Sequence, residues 1–144
     1  MDVIVFSDSK NISSCFAKVE KARSFSVKYQ PFADLKKNII ISPNDSVIYA
    51  DVTALTPPAL KKCLSVLGSL PNVFGIIDSK GAFDDPVVFI HAGASDYIGK
   101  TLFKTGIDSS RIKKAFDFGS KLIPEHTVVP DTVMKYSCPP AGSD

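Results

Sequence analysis

Apolar runs too short for a membrane and too even for a disordered chain alternate with stretches of helical spacing, and this alternation constrains the fold most. Val3-Ile-Val-Phe6 and Val47-Ile-Tyr-Ala50 are unbroken and rich in β-branched residues, as strands covered on both faces require. Phe25 to Tyr29 alternates and is stopped by Pro31, Val73-Phe-Gly-Ile-Ile77 reads as a fourth strand, and Tyr97-Ile98 as a brief fifth. Between them, Ile12, Cys15, Phe16 and Val19 fall on one helical face after the capping types Asp8, Ser9 and Asn11. Residues 32–41 read two ways, with a short helix over 33–37 followed by a helix end or a strand. Thr56-Pro57-Pro58 opens a helix through Leu60, Leu64 and Leu67, which ends at Gly68 and Pro71. Asp84-Asp85-Pro86 opens a fourth helix that holds His91 and stops near Gly93, and Ser109 or Ser110 caps a last one carrying Ile112, Ala115, Phe116 and Gly119. Five βα repeats predict a parallel sheet with helices on both faces.

The chain has 144 residues, enough for one domain. The alternation fills 1–121. From Leu122 it gives way to an aperiodic stretch containing Pro124, Pro130, Pro139 and Pro140, so residues 122–144 read as a proline-rich tail or linker. A net charge of +2 and a pI of 8.4 do not argue for nucleic-acid binding. No run nears the roughly 20 apolar residues of a membrane helix, and no signal peptide stands at the start. Cys15, Cys63 and Cys138 lie far apart without C-x-x-C spacing, as expected of a cytoplasmic protein without disulfide framework or zinc site. His91 and His126 have no nucleophile or cysteine pair beside them, and the Gly-rich phosphate loops of nucleotide enzymes are missing. An enzyme is therefore not expected.

In an open parallel sheet, ligands bind beyond the carboxyl ends of the strands. The polar residues there are Ser7 and Asp8, Asp51, Asp78 and Ser79, and Lys100. Any one such aspartate is most simply a helix cap, but carboxylates gathered from several strands repel unless a cation or a proton intervenes. Carboxylate oxygens suit Mg²⁺, and a lysine opposite suits a carboxylate or a phosphoryl group.

These pieces resemble the receiver domain of two-component response regulators over residues 1–121. VIVFSD is similar to that family's first strand with its acidic pair, VIYAD to its third strand, and HAGASDYIGK to its A-G-A-x-D-Y-x-x-K segment. The separations of 43 residues from Asp8 to Asp51, 27 from Asp51 to Asp78 and 49 from Asp51 to Lys100 suit that fold. The resemblance implies a flavodoxin-like three-layer (βα)5 α/β domain with strand order 2-1-3-4-5. It also implies that Asp51 accepts a phosphoryl group from a phosphohistidine, that Asp8 and Asp51 hold Mg²⁺, and that Lys100 pairs with the acceptor. Tyr97 lies near the switch aromatic, and Asp78 stands where a Thr or Ser reads the phosphate.

The sequence departs from that pattern in a second helix that looks short and in three site residues. Ser7 replaces the first acid of the pair and removes a carboxylate from the metal site, Asp78 brings a charge that repels phosphate, and Thr101 follows Lys100 where proline is usual. The implied partners are a histidine kinase or phosphotransfer protein and a C-terminal effector domain linked through the tail. A phosphorylation-independent dimerisation or docking module, using the fourth helix, fifth strand and fifth helix, is the alternative.

Overall fold

The structure, a computed structural model, describes residues 1–36, 39–81 and 87–122. Strands β1 (Asp2–Phe6), β2 (Ser26–Gln30), β3 (Ser46–Asp51), β4 (Val73–Ile77) and β5 (Asp96–Ile98) form one sheet in the order β2-β1-β3-β4-β5. Every pairing is parallel, with Val3 beside both Val27 and Val47, and Asp51 beside Ile77. This is the expected flavodoxin-like α/β fold. The helices are α1 (Ile12–Cys15), α2 (Ala17–Glu20), α3 (Pro57–Ser69), α4 (Val87–His91), α5 (Lys100–Thr105) and α6 (Ser109–Leu122), with a 3-10 turn at Phe32–Asp34. No described helix is long and apolar enough to cross a membrane.

The period-two alternation of a strand puts successive side chains on opposite faces of the sheet. Val3, Val5, Val47, Tyr49 and Ile77 pack on one face against Ile12, Cys15, Phe16, Val19 and Ile112. Ile4, Phe6, Ile48, Ala50, Phe74 and Ile76 pack on the other against Leu60, Cys63, Leu67 and Phe89. Both faces of β1, β3 and β4 are thus covered, which explains why these strands read as continuous apolar runs. Cys15 and Cys63 are core residues, as their helical positions imply, and burial pushes each thiol up to about 11.

Four local expectations need correction. The first helix is two four-residue pieces broken at Phe16, because the Cys15 carbonyl that should accept the next helical bond accepts from Ile107 N at 3.0 Å instead. Gly106 makes that approach possible: its φ is +83°, and a Cβ there would stand 3.4 Å from the Cys15 oxygen. In place of a helix over 33–37 there is a single 3-10 turn, beyond which residues 37 and 38 lie outside the described residues. A short helix, α5, follows β5 directly where no helix was expected. Finally, Asp108 rather than either serine caps α6, accepting from Arg111 N at 3.0 Å. The Thr56 cap of α3 is as expected, with Ala59 N donating to Thr56 Oγ1 at 3.4 Å. Asp84-Asp85-Pro86 and the tail from residue 123 lie outside the described residues.

Candidate functional site

The chain leaves β1 for β2 on one side, while β3 lies on β1's other side, so the strand order reverses between β1 and β3. Such a switch point opens a crevice at the carboxyl ends of the strands. There a cleft of about 310 Å³ is lined by Asp8, Phe32, Asp51, Thr53, Ser79 and Lys80, among others.

Asp51, the last residue of β3, is half-buried. Its Oδ2 accepts from Ser7 Oγ at 2.7 Å, across the switch point. Its Oδ1 accepts from Thr53 N at 3.1 Å and from Thr53 Oγ1 at 2.5 Å, a local turn in which the aspartate binds the backbone two residues on. Each hydroxyl is itself anchored by a neighbouring loop. Ser9 N donates to Ser7 Oγ at 3.0 Å, and Ser79 N donates to Thr53 Oγ1 at 2.9 Å, with the Thr53 and Ser79 hydroxyls 3.1 Å apart. One carboxylate therefore joins the loops after β1, β3 and β4. Asp8 lines the same cleft, exposed, and its Oδ1 accepts from Phe32 N at 3.1 Å, tying the β1 loop to the 3-10 turn.

The other sequence candidates lie elsewhere. Asp78 is fully buried and is not among the cleft's lining residues; its Oδ2 accepts from Tyr97 Oη at 3.0 Å. Tyr97 in turn stacks on Phe89 with ring centroids 5.5 Å apart. Lys100 is exposed at the start of α5, and no ion pair joins it to a carboxylate among the described residues. The cleft thus brings together Asp8 and Asp51, while Asp78 and Tyr97 form a separate pair.

Two carboxylates facing one cleft are within what Mg²⁺ uses, since it keeps several waters and takes phosphate oxygens as further ligands. Among the described residues, no group of three or more His, Cys, Asp or Glu side chains stands together. Thr53 and Lys80 were not singled out by the sequence. The D-V-T pattern after an apolar run carries the signal for the first, and the D-S-K-G turn for the second.

A second polar group, absent from the sequence reading, lies in the core. Asp96 accepts from Tyr49 Oη at 2.8 Å, from Tyr97 N at 2.8 Å, and from Arg111 Nη2 at 2.6 Å and Nε at 3.1 Å. The Asp96 carboxylate holds the Arg111 guanidinium above its ordinary pKa, and burial followed by the nearby Asp96 charge raises that of Tyr49. Compared with known proteins, the chain matches no protein-family model, no curated protein and no solved structure.

Proposed function

We propose that this chain is a divergent receiver module whose Asp51 accepts a phosphoryl group and passes the change to a linked effector or partner. The observation that carries this reading is the position of Asp51: a half-buried carboxylate ending the central strand, at the switch point, in an open cleft shared with Asp8. In the proposed step an Asp51 oxygen bonds to phosphorus, the P–N bond of a phosphohistidine breaks, and the departing imidazole nitrogen takes a proton. Asp8 and Asp51 are the residues that would hold Mg²⁺, which supplies charge neutralisation to the transferring group. Incubation of the chain with Mg²⁺ and acetyl phosphate, followed by intact-mass measurement, tests the reading. A gain of one phosphoryl group on the wild type, lost in Asp51→Asn, is expected; no gain, or a gain that persists in Asp51→Asn, overturns it.

One observation favours a phosphorylation-independent docking module instead. Val87, Val88 and Ile90 of α4 are 51%, 50% and 46% exposed, an apolar strip on one five-residue helix. Light scattering across concentration separates the two readings. A dimer formed without phosphate supports docking, and a monomer that associates only after treatment with acetyl phosphate supports the switch.

A further inference from the structure

Resting on the reading of Asp51 as a phosphoryl acceptor, we propose that Lys80 is the cation that binds the transferred phosphoryl group. The turn after β4 presents Lys80, with Ser79 beside it as a hydroxyl donor. The argument starts from charge. A phosphoryl group carries roughly two negative charges near neutral pH, and Asp8 in the same cleft repels it. A positive side chain facing the cleft offsets that repulsion, and among the described lining residues the cation is Lys80.

Local structure explains why Lys80 points this way. Gly81 N donates to Asp78 O at 3.1 Å, closing a four-residue turn with Ser79 and Lys80 at its centre. Gly81 takes φ +62°, which suits glycine at the end of such a turn. The turn is fixed relative to Asp51 through Thr53, whose hydroxyl accepts from Ser79 N and donates to Asp51 Oδ1. Lys80 is exposed and makes no ion pair among the described residues. Lys100 lies behind the same turn: a Cβ on Gly81 would stand 3.8 Å from Lys100 Cβ, and Lys100 is not among the residues lining the cleft.

The test follows the phosphorylation of the full chain by acetyl phosphate and Mg²⁺, read by intact mass over time and over acetyl phosphate concentration. An Asp51 oxygen forms the new bond to phosphorus, the P–O bond of acetyl phosphate breaks, and acetate leaves. Loss of one charge-assisted contact predicts that Lys80→Ala slows the reaction about tenfold or more and raises the half-saturating acetyl phosphate concentration. Lys80→Arg should keep most of the rate because charge is retained, a rescue that a purely structural effect would not produce. Equal rates for Lys80→Ala and wild type, or a loss confined to Lys100→Ala, overturn the Lys80 assignment while leaving Asp51 as acceptor. A wild-type chain that gains no phosphoryl group overturns both.

Discussion

The core polar group around Asp96 allows the fold's dependence on one buried charge to be worked out from the geometry. Asp96 is 7% exposed and receives Tyr49 Oη, Tyr97 N and two nitrogens of Arg111. Tyr49→Phe removes one neutral donor and nothing else, because the ring is held edge-on to Phe16 at 5.5 Å and lies against Gly75, where a Cβ would collide with it. The remaining donors keep the carboxylate paired, so this variant should lose about 1–2 kcal/mol. Arg111→Met takes away the countercharge. Breaking a buried pair costs about 3–5 kcal/mol, but the Arg111 side chain is 37% exposed, so water replaces part of the lost contact. A loss of about 2–3 kcal/mol follows.

Urea unfolding of the two single variants and the double variant, followed by circular dichroism, reads these losses. The double variant should lose a different amount from the sum of the singles, because both side chains share one carboxylate. Arg111→Met as stable as wild type, or less harmful than Tyr49→Phe, would refute the reasoning that Asp96 is held as a charge needing its partner.

Two further outcomes follow from the same coordinates. Cys15 and Cys63 have thiol pKa values raised by burial from 9.0 to about 11. The unfolded chain therefore loses these protons first; the stability they contribute is whole below about pH 9 and falls as pH rises toward about 11, by at most about 2–3 kcal/mol per thiol. Urea midpoints measured across that range should decline, and less steeply in Cys63→Ala. Asp108→Ala removes the acceptor for Arg111 N at the start of α6 and should cost about 1 kcal/mol, whereas Ser109→Ala and Ser110→Ala should change the urea midpoint little.

The parallel layers were legible because they follow from patterns that no distant contact overrides, whereas the strand order was available only through the receiver resemblance. Val3-Ile-Val-Phe6 and Val47-Ile-Tyr-Ala50 could be continuous apolar runs only if helices covered both faces, and they do. The helix break at Phe16 was not legible, since its cause, Ile107 N donating to Cys15 O, lies about ninety residues away in sequence. Apolar spacing reports which side of a segment is buried but not which carbonyl a distant loop will claim. The Asp96 group was hidden for a related reason. Tyr49 sits within an apolar run and reads as packing, while its hydroxyl meets a carboxylate 47 residues on. At the cleft, the positions of Asp8 and Asp51 were readable from the strand ends. The direction of the Asp78 side chain was not, because its partner, the Tyr97 hydroxyl, lies 19 residues away in sequence.

Against the receiver resemblance Ser7 and Asp78 read as two separate departures, a missing acid and a misplaced one, yet both leave fewer carboxylates facing the cleft. Ser7 presents a hydroxyl that donates to Asp51 Oδ2, and Asp78 is buried in the core. Among the described residues, the charged groups lining the cleft are then Asp8, Asp51 and Lys80, which together leave one net negative charge. The Ser7 and Thr53 hydroxyls and the Thr53 N–H all donate to the Asp51 carboxylate. A site with fewer opposed carboxylates attracts a divalent cation less strongly, and it also has less need of one to hold its loops together. The Ser7 and Thr53 hydroxyls thus clasp the loops after β1, β3 and β4 around Asp51. On the reading of Asp51 as a phosphoryl acceptor, a cation on the β4 turn complements that clasp.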